Sequence, residues 1–177
     1  RCSFTWNNKR FKNPTEWFEK MKNLGIVVSP NLKPGMLLVH PLLEEMKQKD
    51  MFVLDSTKDE PGIGTWWGGK GIFVDFTKEE NRKYWKEYLK EGLIQYCCQS
   101  VWNDNCEYDS MVDKDDSVYF EGKGSTIGTM KPVMSNLMCQ LSNEAVMEYD
   151  SNIRPFSVCR SGHAGIQRYA QVWACLL

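Results

Sequence analysis

An alternation of helix-like and strand-like segments constrains the fold of this chain most. The segment 13–25 starts with Asn13-Pro14-Thr15-Glu16, an N-cap followed by a proline and an acid, and it ends at Gly25. The β-branched apolar run 26–30 follows at once and predicts a strand covered on both faces. The same succession occurs twice more, with helices predicted over 77–92 and 127–145 and strands over 94–102 and 154–160. This order predicts βα units that are joined by right-handed crossovers into a parallel sheet.

Shorter segments complete the pattern. Thr77 opens a T-x-x-E sequence, so it is predicted to be the N-cap of its helix. Pro132 is predicted to lie in the first turn of the long helix, where proline is tolerated. The remaining predictions are a short helix over 41–47, extended stretches over 51–54 and 71–76, and a turn with a last strand within 167–173.

The length of 177 residues suffices for one domain with a sizeable core. We therefore expect a single unit over 1–177, with a loop insertion around 105–126. A (β/α)8 barrel needs about 250 residues, so the chain supplies roughly half of its strands. An open doubly wound sheet would fit the length better, but no dinucleotide-binding fingerprint is present.

Charge and cysteine content narrow the function classes. Lys+Arg 22 against Asp+Glu 23 gives a net charge of -1, which argues against nucleic acid or an anionic membrane as partner. No apolar run reaches the roughly 20 residues of a membrane span. Seven irregularly spaced cysteines and no visible signal peptide predict reduced thiols in an intracellular, cytoplasmic protein. With no C-x-x-C pair and only two histidines, the sequence predicts no metal and no organic cofactor.

Candidate binding residues gather where predicted strands end. Trp102 and Asp104 follow one buried strand, and ligands of α/β folds bind at the carboxyl ends of strands. The loop 64–71 presents Trp66 and Trp67 between glycines. It nearly matches a phosphate-binding loop, but Gly71 stands where that loop needs Ser or Thr, so a sugar-binding platform or simple surface packing suits it better. The acidic run 107–116 is expected to be solvated.

Two stretches carry a resemblance to a known family. Trp102-Asn103-Asp104-Asn105-Cys106-Glu107 resembles the W-x-D-M-N-E motif of glycoside hydrolase family 31, the α-glucosidase family. The block from Arg160 to Trp173 is similar to the R-S-x-x-A-G-x-Q-R-Y-A-x-x-W block of the same family. Phe4-Thr5-Trp6, Arg10-Phe11 and Asp75-Phe76-Thr77 match further landmarks, so the resemblance runs over essentially the whole chain.

The resemblance implies a fold and a mechanism. The fold would be a partial (β/α)8 barrel that spans about strands two to six. Asp104 matches the family's nucleophile in a retaining mechanism, in which a carboxylate forms a glycosyl-enzyme and a second carboxylate, about 5–5.5 Å away, acts as acid and base. The substrate would be a terminal α-glucoside or oligosaccharide. The substrate-binding residues implied are Trp102, Arg160, Trp67, Asn105, His163 and Trp173.

The chain also departs from the family's pattern. The family's acid/base aspartate belongs at position 176, where this chain has Leu176, so we expect the chain as given to lack its acid/base. Asn105 and Cys106 replace the motif's Met and Asn, which favours a subgroup with other subsite preferences. Two alternatives therefore stand beside a fragment of an α-glucosidase: an α-transglucosylase, and a non-catalytic carbohydrate-binding half-barrel. Either the remainder of a barrel or self-association is expected to cover the open edges of such a half-barrel.

Overall fold

The computed structural model describes residues 2–109 and 113–173 of the chain. Helices and strands alternate along it as the sequence predicts. In chain order they are α1 (Pro14–Asn23), β1 (Asn31–Leu32), β2 (Gly35–Leu37), α2 (Leu43–Gln48), β3 (Ile63–Trp66), β4 (Gly69–Phe73), α3 (Glu79–Gly92), β5 (Ser100–Asn103), β6 (Ser117–Val118), β7 (Ser125–Thr126), α4 (Ile127–Tyr149), β8 (Phe156–Cys159) and β9 (Gln171–Val172).

The central sheet has four strands in the order β1-β5-β8-β9. All of its described pairings are parallel, which confirms the parallel sheet predicted from the alternation. The chain leaves β5 through the loop and β6–β7, passes along α4 and returns in β8, so α4 forms the crossover between neighbouring strands. Helices α3 and α4 are linked by ion pairs from Lys86 to Glu144 and Glu148.

A second sheet is antiparallel and has the order β2-β4-β3. The stretch predicted over 71–76 contributes to β4 in this sheet and not to the parallel sheet. Gly71 allows the close pairing, because a Cβ atom there would overlap with the carbonyl oxygen of Met36 and with the ring of Trp66. Since Trp66 pairs with Gly69, strands β3 and β4 form a hairpin whose two-residue tip consists of Trp67 and Gly68.

The predicted strand over 26–30 is wrong. The parallel strand begins only at Asn31, and Ile26 and Val27 are 50% and 67% exposed. Within the described residues β1 pairs with β5 alone, so its other edge has no strand partner. The predicted cover by further strands or by a second copy of the chain stays a prediction.

Two helix details differ from the prediction. Thr77 is not the N-cap of α3; Lys78 occupies that position, and the Thr77 hydroxyl donates to Asp75 (2.6 Å). A buried carboxylate acceptor thus binds the threonine side chain that a capping box would need. Pro132 lies in the second turn of α4, one turn later than predicted. In contrast, α1 begins as predicted, with the Asn13 side chain accepting a hydrogen bond from the Glu16 amide (3.2 Å).

The loop between β5 and α4 is more ordered than its acidic composition suggests. Strands β6 and β7 form an antiparallel pair, and Ser117 bridges to Leu54. Asp116 is 2% exposed and accepts a hydrogen bond from the Ser56 amide (3.1 Å). The expectation of a merely solvated acidic run is therefore wrong for this residue, because its carboxylate connects two segments.

Candidate active site

The register of the parallel sheet brings four polar or aromatic residues to one edge. Leu32 pairs with Asn103, Asn103 with Cys159, and Cys159 with Val172. The next residue of each strand is therefore at the same level of the sheet. These four residues are Lys33, Asp104, Arg160 and Trp173. They lie at the carboxyl edge of the sheet, where α/β folds bind their ligands.

Side chains alternate across β5 as expected for a strand. Asn103 is fully buried on the side of α4, where it accepts a hydrogen bond from Ser142 (3.1 Å) and donates to the Cys139 sulfur (3.5 Å). Trp102 and Asp104 belong to the opposite set of positions and both line the cavity described below. The amide of Asn103 thus anchors the strand to the helix while its neighbours remain available to a ligand.

Asp104 is a nearly buried carboxylate that accepts several hydrogen bonds. Oδ2 accepts from Asn31 Nδ2 (3.1 Å) and from Lys33 Nζ, with which it forms an ion pair. Oδ1 accepts from the Asn105 amide (3.0 Å). Burial raises the pKa of the Asp104 carboxyl, but the bonds from Lys33 and Asn31 and the charges of Lys33 and Arg160 outweigh burial and hold the pKa below its usual range. These hydrogen bonds and charges thereby favour the ionised form of the carboxyl.

Arg160 connects the end of β8 to the loop after β5. Its Nη1 atom lies 3.7 Å from Asp104 Oδ1, and its Nη2 atom forms ion pairs with Glu107 and with Asp109 (2.6 Å). Asn105 supports the same loop by donating to Asp109 (3.0 Å). The guanidinium therefore places a positive charge near Asp104 while most of its hydrogen-bonding capacity goes to the loop.

A cavity of about 450 Å³ opens in front of Asp104. Its wall contains the indole rings of Trp66, Trp67 and Trp102 beside the polar groups of Asn31 and Lys33. Trp67 is 81% exposed at the tip of the β3–β4 hairpin, and Lys33 Nζ is 5.9 Å from its ring centre. Apolar faces next to a few fixed polar groups suit a ligand such as a sugar ring.

The predicted site residues are placed unequally. Asp104, Trp102 and Trp67 line the cavity, and Asn105 and Arg160 contact or approach Asp104. Trp173 packs edge-on against Trp102, with ring centres 5.6 Å apart. His163 lies on the exposed loop after β8, where its backbone amide donates to Asn136 (3.0 Å), and it is not among the residues described as lining this cavity. Its role in sugar binding stays a prediction, and Leu176 lies outside the described residues.

Two residues that contact Asp104 were missed from the sequence. Asn31 and Lys33 flank the buried Leu32, an alternation that puts both polar side chains on one face of β1. The alternation spans only three residues and ends at Pro34, so it resembles a loop as much as a strand. The longer apolar run 26–30 gives a stronger strand signal, so the strand was predicted there and not at 31–33.

The described residues offer no obvious metal site. Within 2–109 and 113–173 no group of three His, Cys, Asp or Glu side chains is placed to hold a metal ion. In the same ranges no helix combines the length and apolar character needed to cross a bilayer. The six described cysteines are free thiols, as predicted.

Comparisons with known proteins converge on one family. The model of the glycosyl hydrolases family 31 TIM-barrel domain matches residues 1–175. Alpha-glucosidase 2 of Bacillus thermoamyloliquefaciens is 29% identical over 181 residues, a match that covers 96% of this chain and 22% of that protein. Neutral alpha-glucosidase AB of Dictyostelium discoideum is 26% identical, with 96% of this chain and 19% of that protein covered.

Solved structures agree with the fold. The Flavobacterium johnsoniae GH31 dextranase complexed with glucose superposes with a TM-score of 0.86 at 21% identity, and the match covers 98% of this chain and 22% of that chain. A GH31 sulfoquinovosidase from E. rectale gives a TM-score of 0.83 at 20% identity, covering 98% and 25%. The chain thus spans about a fifth of the length of the curated relatives it matches.

Proposed function

This chain belongs to glycosyl hydrolase family 31, and on that premise we propose that it forms the nucleophile's part of a retaining α-glucosidase site. The observation that carries the proposal is the hydrogen-bonded Asp104 side chain, which lines a cavity that also contains three tryptophans at the carboxyl edge of a parallel sheet. The sheet would correspond to part of a (β/α)8 barrel, covering about strands two to six. The substrate would be a terminal α-glucoside whose ring lies against Trp102 and Trp67.

In the proposed reaction, an oxygen of Asp104 bonds to the anomeric carbon of the sugar. The bond from that carbon to the leaving oxygen breaks. The leaving oxygen keeps both electrons of that bond and accepts a proton from an acid. Water then releases the sugar from the aspartyl ester in a hydrolase, whereas a sugar hydroxyl does so in a transglucosylase. Asn31, Lys33 and Arg160 favour the ionised state of the attacking group, and the indole rings bind and orient the sugar.

The carboxylates next to Asp104 in sequence are engaged with Arg160. Glu107 and Asp109 are the described carboxylates of the loop next to Asp104, and both pair with Arg160. Neither acid is among the residues described as lining the cavity in front of Asp104. This arrangement favours a second candidate, a non-catalytic carbohydrate-binding role for the isolated chain.

A substrate that needs little acid separates the two candidates. Fluoride leaves α-glucosyl fluoride with little help from a proton donor, so the 177-residue chain should release it if Asp104 can attack. The Asp104→Asn variant should lose release by at least about a hundredfold, in line with the loss of a group that acts only in the transition state. Asp55→Asn, in a turn away from the cavity, is the control and should release fluoride like the wild type.

Mass spectrometry after reaction with a slowly hydrolysed fluoroglucosyl fluoride gives an independent readout. A fluoroglucosyl adduct on the peptide that contains Asp104, formed with loss of the anomeric fluoride, would support the nucleophile. Fluoride release that persists in Asp104→Asn would exclude that role. Sugar binding without release or adduct in any variant would favour the binding role over hydrolysis.

A further inference from the structure

Lys33 occupies a position that the motif-based description of the site leaves unexplained. It is 8% exposed, and its ammonium group contacts two side chains of the neighbouring strand end, Asp104 Oδ2 and Asn105 Oδ1. Burying an ammonium group is costly unless it is paired and hydrogen-bonded. Among the described residues, Lys33 meets that condition through Asp104 and Asn105, the two residues that begin the loop after β5.

The two carboxylate oxygens of Asp104 differ in the number of hydrogen bonds that they accept. An ionised carboxylate has about two acceptor positions on each oxygen. Oδ2 uses both of its positions, one for Asn31 Nδ2 and one for Lys33 Nζ. Oδ1 has one described hydrogen bond, from the Asn105 amide, and Arg160 Nη1 lies beyond hydrogen-bonding distance at 3.7 Å. Within 2–109 and 113–173, no second donor therefore occupies the remaining acceptor position of Oδ1.

Resting on the function proposed above, we propose that Lys33 is a positioning residue which saturates Oδ2 and leaves Oδ1 as the oxygen that attacks the sugar. In that step, a lone pair of Oδ1 forms the bond to the anomeric carbon. With α-glucosyl fluoride, the carbon–fluorine bond breaks at the same time and fluoride leaves with its electron pair. The second contact, to Asn105, prevents the ammonium group from following the carboxylate as its charge is lost.

The surrounding charges make Lys33 the main electrostatic partner of Asp104. Four charged groups face this carboxylate from the elements around it: Lys33 after β1, Arg160 after β8, and Glu107 and Asp109 in the loop after β5. Both acids pair with Arg160, which reduces the net positive charge that Arg160 presents to Asp104. Among the described residues, Lys33 is thus the cation that hydrogen-bonds Asp104 directly.

The test compares Lys33→Met, which removes charge and hydrogen bonds, with Lys33→Gln, which keeps a donor but no charge. The first readout is the pH titration of the Asp104 side-chain carboxyl by carbon-13 NMR, assigned with Asp104→Asn, and it requires no activity. We expect the titration midpoint to rise by about 1–3 pH units in both variants, the range for a carboxylate that loses an adjacent cation. Lys47→Met is the control, because Lys47 forms an exposed pair with Glu44 on α2.

The second readout is the pH profile of fluoride release. Its acid limb should move upward by the same amount, and kcat should fall more than KM rises, because the tryptophan cavity remains intact. Lys33→Met leaves the charge of Asp104 without its ammonium partner, and adding Asp104→Asn removes that charge. If Lys33 acts through Asp104, the double variant should therefore melt at a higher temperature than Lys33→Met alone.

The outcomes separate this proposal from the one it rests on. An unchanged NMR midpoint in both Lys33 variants would overturn the role of Lys33, whatever the activity. A raised midpoint with fluoride release by the wild type and a shifted acid limb would support it. If the midpoint is raised in the Lys33 variants but the wild type releases no fluoride, the proposed hydrolysis is overturned, while the control of Asp104 by Lys33 is established.

Discussion

The sequence D-x-T occurs twice in this chain in two different environments, which provides a matched test of a buried carboxylate. Asp75 accepts hydrogen bonds from the Thr77 amide (2.8 Å) and hydroxyl (2.6 Å), and Asp55 accepts the same two from Thr57 (2.8 and 2.7 Å). Asp75 is 3% exposed, whereas the bonds of Asp55 are at the surface. Asp75 also accepts from the Tyr119 amide (2.7 Å) and so connects the end of β4 to the loop between β6 and β7.

Asp75→Ala should therefore destabilise the chain strongly. It leaves the buried Thr77 amide and the partly buried Tyr119 amide without acceptors, and each buried donor left unsatisfied costs about 1–3 kcal/mol. Burial raises the pKa of Asp75 despite the bonds from Thr77 and Tyr119, so removal of the charge at neutral pH offsets part of that loss. We expect a net decrease of about 2–4 kcal/mol in the free energy of unfolding. Asp55→Ala should cost much less, because water replaces its carboxylate.

Urea unfolding at neutral pH, followed by tryptophan fluorescence, measures the difference between the two variants. Amide hydrogen exchange then localises it: a local loss of about 2 kcal/mol corresponds to roughly thirtyfold faster exchange at Tyr119. Equal destabilisation by Asp75→Ala and Asp55→Ala, or unchanged exchange at Tyr119, would refute the reasoning that burial and the third hydrogen bond make Asp75 different.

Two further predictions concern the site and the core. The pKa of Asp104 is lower in the folded than in the unfolded chain, where it has the ordinary value of about 4. Ionisation of Asp104 therefore stabilises the fold above about pH 4, and this contribution is lost as the pH falls through the folded-state pKa. The stability advantage of wild type over Asp104→Asn should then be constant from pH 7 to 5 and shrink below pH 4 in urea titrations; an advantage that grows on acidification would contradict the sign. Trp85 is fully buried between Phe4 and Phe76, and its Nε1 atom has no hydrogen-bond partner among the described residues. Trp85→Ala should cost about 3–5 kcal/mol, and Trp85→Phe should cost clearly less because no hydrogen bond is lost; similar losses in both variants would contradict this.

The parts of the fold that the sequence predicts are those with long, regular patterns. The helices α1, α3 and α4 were predicted because their apolar periodicity extends over enough residues to identify a helix. The strand predicted over 94–102 is wrong before Ser100, because Ile94–Tyr96 forms a 3-10 helix and Cys97 adopts a left-handed conformation, whereas β8 lies within the predicted range 154–160. The antiparallel sheet was not predicted. Its strands are short and glycine-containing, and their pairing depends on close backbone approaches such as the one at Gly71, which leave no periodic signal.

The candidate site was predicted in the same uneven way. Trp102 lies in β5 and Asp104 directly follows it, and both match a family motif, so their position at the carboxyl end of this strand was predicted. The place of Lys33 in the site was not predicted. Strand β1 comprises only two residues at the edge of the sheet, and Asp104, the partner of Lys33, is 71 positions away. A contact between residues so far apart depends on the register of β1 against β5, and no local pattern records that register.

This dependence on register has a consequence for folding. The ion pair of Lys33 with Asp104 joins residues 71 positions apart, and that of Arg160 with Glu107 joins residues 53 apart. Parallel pairs of this kind close large loops and form slowly. A slip of one residue in β5 would turn Asn103 toward the cavity and Asp104 toward α4. The lowered pKa of Asp104 therefore depends first on the alignment of β1 with β5, which brings Lys33 and Asn31 to the carboxylate, and the charge of Arg160 at the end of β8 adds to it.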